Sequence, residues 1–216
     1  VDLLPLFSGG KGKEESLNSL KELCAGELGV DPQCILASDL YLYNRESGRR
    51  MGVNGEFIGS PRLDDLQSAF ALTKAFTEST PAEYINVCAV FDNEEVGSGT
   101  RQGADSTFLS DVLERISIAS DMDREEYMMA LASSFMISAD NAHAVHPNHQ
   151  EKADPTNRPY MNGGIVIKYN GNQKYATDAV SAAVFKSICK KAAVPYQTYA
   201  NRSDIAGGST LGNISD

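Results

Sequence analysis

The run Tyr84–Phe91 is apolar, rich in β-forming residues and short, and it leads directly into Asp92-Asn93-Glu94-Glu95. Such a run predicts a buried strand. Two adjacent carboxylates at the end of a buried strand repel one another and are costly to remove from water. A nearby cation, or a proton held on one of them, relieves that cost. A metal site with a general base beside it supplies both, so Glu94 and Glu95 read as a catalytic pair. The competing reading is a solvated pair in a surface loop.

The pattern around this run alternates strands and helices. Leu17, Leu20, Leu23 and Leu28 form a helical stripe, with Gly29 as a stop. Cys34–Tyr43 reads as a strand, and Arg45–Gly59 as a turn or boundary region. Leu63, Leu66, Phe70, Leu72 and Phe76 predict a long amphipathic helix. Further helices are expected over Ser106–Ala119, Arg124–Ala132 and Ala179–Ala193. Strands are expected over Phe135–Ser138, Ile165–Tyr169 and Tyr196–Ala200, with a polar loop from Asn141 to Asn162. This alternation predicts an α/β fold with a layered sheet.

Three acidic positions fall at comparable places in that architecture: Asp64 at a helix start, Glu94-Glu95 after one strand, and Asp140 after another. Ligands of open α/β sheets sit outside the carboxyl ends of the strands, where such residues converge. Taken singly, Asp64 reads more readily as a helix cap or dipole partner than as a ligand, and Asp140 as a turn former. Together they suggest a metal site, and carboxylate oxygens with imidazole suit zinc, cobalt or manganese.

Composition narrows the alternatives. With 216 residues, 42% of them hydrophobic, the chain can bury a sizeable core. Its 19 basic and 29 acidic residues give a net charge of -10, which argues against sequence-independent nucleic-acid binding. No apolar run reaches membrane-spanning length, so no membrane partner is expected. Cys24, Cys34, Cys88 and Cys189 are scattered without zinc-type spacing and read as reduced thiols of a cytoplasmic protein. Gly97-Ser98-Gly99 and Gly207-Gly208-Ser209-Thr210 lack phosphate-loop form, and no GxSxG elbow occurs. Gly208 and Ser209 are candidates for presenting backbone groups to a substrate.

Several blocks carry a family likeness: Ser60–Leu66, Phe91–Ser98, Ser133–Asn148, Asn157-Arg158-Pro159, Val166-Ile167-Lys168, Gln173–Ala176 and Gly208–Gly212. On these the chain resembles the aspartyl aminopeptidases, dinuclear zinc exopeptidases that assemble as dodecamers, and it looks most like their bacterial branch. The resemblance implies a zinc-peptidase-like catalytic domain over 55–216, a mixed sheet sandwiched by helices and incomplete here. Residues 1–54 would be the C-terminal part of an inserted dimerisation domain. Two zinc ions would be held, with Asp64 bridging them, Glu95 on one and Asp140 on the other. Glu94 would be the general base toward a water between the metals. His143 and His146 would lie in the substrate pocket or beside the metals without ligating them. Peptides would be the substrates, and the whole protein a homo-oligomer.

Two departures qualify the likeness. The family also uses two histidine ligands, in segments this chain does not contain. It therefore reads as an internal portion of a longer protein, expected to be inactive alone, with a role in assembly or binding as the alternative. In addition, members that cleave acidic N-terminal residues carry a lysine where this chain has Gly163. Arg158 and Lys168 are the nearby cations that could pair with an acidic substrate side chain. Acidic substrates are thus expected, with neutral ones also admitted.

Overall fold

The computed structural model describes residues 7, 9, 12–80, 83–205 and 207. It divides into two compact units, Val1–Gly48 and Arg49–Asp216. In the first, α1 spans Lys13–Leu28. Glu14 and Glu15 sit in its first turn, where the helix dipole favours negative charge. Gly29 closes it in the left-handed region (φ 66°), its N–H bonding the carbonyls of Ala25 and Gly26. A 3₁₀ turn follows over Pro32–Cys34, capped by the Asp31 carboxylate, which accepts from the Gln33 N–H at 2.8 Å. The strand expected over Cys34–Tyr43 does not form. Leu36, Leu40 and Leu42 are exposed, and no described segment offers that stretch a hydrogen-bonding edge.

The second unit opens with a hairpin where a boundary region was expected. Its strands β1 (Arg49–Met51) and β2 (Phe57–Gly59) pair antiparallel, with Arg50 opposite Ile58. Next come α2 (Leu63–Glu78), α3 (Phe108–Ala119) and α4 (Arg124–Ala132). A reciprocal capping box starts α4: Asp123 accepts from the Glu126 N–H and Glu126 from the Asp123 N–H. A Glu114–Arg124 ion pair of 3.1 Å joins α3 to α4.

The chain ends in a β-α-β unit: β3 (Ile165–Tyr169), α5 (Ala179–Lys191) and β4 (Tyr196–Ala200). The two strands run parallel, Ile165 facing Tyr196 and Lys168 facing Tyr199, as a helical crossover requires. Ile167, Ala182 and Cys189 are its buried residues. Asp178 caps α5, and Lys190 and Lys191 lie in the last turn, again matching the dipole.

Tyr84–Phe91 and Phe135–Ser138 carry no ladder hydrogen bonds among the described residues, contrary to the strands expected there. Strand structure needs a neighbouring edge to receive its backbone groups, and composition cannot supply one. Val90 stays 56% exposed and Phe135 52%. Among the described residues, no helix is long and apolar enough to cross a membrane.

Candidate metal centre

The start of α2 is not regular helix. Arg62 is in the left-handed region (φ 59°), and Asp64 (φ −88°, ψ 113°) and Asp65 (φ −118°, ψ 28°) both depart from helical values. The peptide bond joining the two aspartates is cis. Successive residues of a regular helix point to different faces. The irregular backbone instead lets both carboxylates join Asp140 in one cluster, each offering an oxygen within 4.8 Å of the others. The helix expected from Leu63 is therefore present, but its first turn is given over to the site.

Asp140 reaches this cluster from a segment without regular structure. One of its oxygens, Oδ2, accepts from Lys168 Nζ at 2.7 Å. The same ammonium donates to the Asn141 carbonyl at 2.9 Å, while the Asn141 side-chain amide donates to the Leu63 carbonyl at 2.9 Å. Burial first, and then the Asp140 charge, push the Tyr175 phenol above its ordinary range.

Glu94 and Glu95 stand on a loop that is bonded largely to itself. Gly97 N–H donates to the Glu94 carbonyl at 2.8 Å, Ser98 N–H to the Asn93 carbonyl at 3.0 Å, and Asp92 N–H to the Gln102 carbonyl at 3.1 Å. The Asn93 amide donates to Thr100 Oγ1 at 2.9 Å. Gly103 closes the loop where a Cβ would come within 1.9 Å of the Ser98 carbonyl oxygen, so only glycine fits without a shift. From this loop the charge of Glu94 reaches Asp64. Glu95 is exposed and is not one of the three converging carboxylates.

Crowding of like charges sets the electrostatics. The Asp64 carboxyl is pushed above the usual carboxylate range, first by burial, then by the Asp140 charge and a hydrogen bond shared with Asp140, then by Asp65 and Glu94. Asp65 Oδ1 is buried and has no hydrogen-bond partner. An all-carboxylate cluster with a buried, unpartnered oxygen fits a divalent cation, which would satisfy that oxygen and offset the repulsion. A raised folded-state value favours the folded protein below the ordinary carboxylate value of 3.8, and this contribution disappears as pH rises through the raised value. In chelator, Asp64→Asn in the full-length protein is therefore expected to raise the melting temperature at neutral pH. That gain should vanish in thermal melts below pH 3.8.

A family model described as aminopeptidase I zinc metalloprotease (M18) matches residues 7–216. The chain belongs to the M18 family. It is 51% identical over 214 residues to a probable M18 family aminopeptidase 2 of Clostridium acetobutylicum, covering 99% of this chain and 49% of that protein. A protein of the same description from Clostridium novyi is 50% identical over 215 residues, covering 100% of this chain and 50% of that one. Among solved structures, the S. cerevisiae mApe1 dodecamer matches with a TM-score of 0.74 and 29% identity, over 85% of this chain and 43% of that chain. The chain thus spans about half the length of the curated M18 relatives it matches. An α/β fold is what this likeness to M18 structures supports, and an incomplete domain is consistent with the coverage.

Within this M18 chain, His143 and His146 are exposed, and neither joins the carboxylate cluster. His146 Nδ1 accepts from the Asn148 N–H at 3.2 Å, and its ring lies 5.2 Å from that of His149. Gly208 and Ser209 lie outside the described residues. Of the two candidate cations for substrate, Lys168 is engaged by Asp140 and Asn141, and Arg158 donates to the Pro155 carbonyl at 2.8 Å. Asp65 is the cluster member that the sequence reading passed over. Its signal was the Asp64-Asp65 doublet, which a regular helix would have split between faces.

Proposed function

We propose that the full-length protein is a zinc-dependent aminopeptidase that removes acidic, and also neutral, N-terminal residues from peptides. The observation that carries this reading is the convergence of Asp64, Asp65 and Asp140, with the charge of Glu94 acting on Asp64, in a chain of the M18 family. Asp64, Asp65 and Asp140 would hold one zinc ion. A second ion, held by Asp64 and Glu95, would complete the dinuclear set that the family resemblance implies. Zinc bound there supplies a Lewis acid that polarises a carbonyl and acidifies a water. Glu94 accepts the proton of the attacking water on its carboxylate and delivers it to the departing amine. His143 and His146 would serve the substrate side, and Gly208 and Ser209 are further candidates for substrate contact.

Specificity follows from Gly163. The amide nitrogen of Gln197 would lie 2.3 Å from a Cβ at this position, and the same side chain bonds both backbone groups of Tyr160. Glycine at this position supplies no cation for an acidic substrate side chain, which supports a pocket that tolerates neutral residues. Assembly as a dodecamer is proposed on the likeness to mApe1, with residues 1–54 as part of a dimerisation domain; the unit boundary after Gly48 supports a division near there. Free thiols at Cys24, Cys34, Cys88 and Cys189 support a cytoplasmic setting. A second reading applies to this polypeptide by itself: among the described residues no histidine joins the cluster, which supports a chain that is silent alone and acts in assembly or binding.

The test is cleavage of Asp-, Glu- and Leu-chromogenic substrates by the full-length protein, before and after chelation. We expect cleavage of all three, lost in chelator and restored by zinc. Activity that survives chelation would contradict metal dependence, and a complete lack of Leu cleavage would contradict the tolerant pocket.

A further inference from the structure

We propose that Asn141, held by Lys168, is a positioning residue that sets the separation of Asp140 from the Asp64–Asp65 pair; the inference rests on the metal reading above. Asp140 and Asn141 lie in a stretch without ladder hydrogen bonds, so their placement depends on other ties. Asn141 supplies two of them in opposite directions. Its side-chain amide donates to the carbonyl of Leu63, the residue directly before Asp64. Its own carbonyl accepts from Lys168 Nζ, which also donates to Asp140 Oδ2.

These bonds link residues 78 and 27 positions apart, so they are tertiary ties rather than turns within one loop. Their anchor is firm. Lys168 belongs to β3, whose register with β4 is set over the whole strand, and its side chain is only 19% exposed. Its ammonium stands 5.9 Å from the centre of the Tyr175 ring. A paired strand therefore fixes Lys168, Lys168 fixes the Asp140–Asn141 corner, and Asn141 fixes that corner against the start of α2. Partners outside a ligand set orient the ligands and thereby tune affinity. Asn141 is also neutral. Replacing it leaves the charge at the site unchanged, so a change in metal affinity reports geometry rather than electrostatics.

The experiment compares wild-type full-length protein with Asn141→Ala and with Asn141→Leu, which is close in size but has no donor. Zinc affinity is read by competition with a chromophoric chelator, ligand geometry by the absorption spectrum of the cobalt-loaded protein, and folding by circular dichroism without metal. Both variants should bind zinc about 10–100-fold more weakly and show an altered cobalt spectrum, while the metal-free dichroism stays as in wild type. Wild-type zinc affinity in either folded variant would overturn the brace and leave the metal reading standing. A wild-type protein that binds no zinc would overturn the metal reading, and this inference with it.

Discussion

Replacing Glu94 with glutamine in the full-length protein is expected to lower kcat by about 100- to 10,000-fold, the usual contribution of a positioned acid–base group. Zinc content should not change. Glu94 stands on the self-bonded loop after the Tyr84–Phe91 run, outside the three converging carboxylates but near enough for its charge to act on Asp64. Glutamine keeps the shape of the side chain and one acceptor oxygen, and removes the capacity to take up a proton. Steady-state kinetics with metal analysis on the same sample separates the two roles. A parallel loss of zinc and activity would instead make Glu94 a ligand.

Asp64→Asn is expected to weaken zinc binding by more than the roughly 10–100-fold that positions outside a ligand set typically cost. Asp64 interacts with Asp140 by hydrogen bond and charge, and with Asp65 and Glu94 by charge. Its two effects on stability should therefore have opposite signs. Without metal, removing its charge relieves repulsion and raises the melting temperature at neutral pH. With zinc in excess, wild type gains the stabilisation that follows from preferential binding to the folded state, and the variant forgoes most of it. Melting curves of both proteins, with zinc and with chelator, should cross over in rank. If wild type melts higher in both conditions, the carboxylates are not held apart by repulsion that a metal relieves.

Much of this was legible in the sequence, and what was not has identifiable causes. Apolar stripes announce α1 and α2, and α3, α4 and α5 lie where helices are expected, nearly to their ends, because a helix satisfies its hydrogen bonds within itself. Tyr84–Phe91 and Phe135–Ser138 read as strands but are not paired among the described residues, because a ladder depends on a partner elsewhere in the chain. The hairpin Arg49–Gly59 was passed over since its strands are only three residues each, with Gly52 and Gly55 between them. At the site, Asp64 and Asp140 were found by their places at the ends of elements. Asp65 escaped because its role depends on irregular dihedrals that no residue pattern announces. In the sequence Lys168 is only a cation near Gly163; its ammonium is engaged by Asp140, a pairing across 28 residues that spacing cannot reveal.

The most direct test is anomalous X-ray diffraction at the zinc absorption edge from crystals of the full-length protein grown with zinc. The account predicts a peak among Asp64, Asp65 and Asp140, with carboxylate oxygens at about 2.0–2.2 Å from it. Zinc found only elsewhere in the protein, with these three carboxylates contacting no metal, would contradict it.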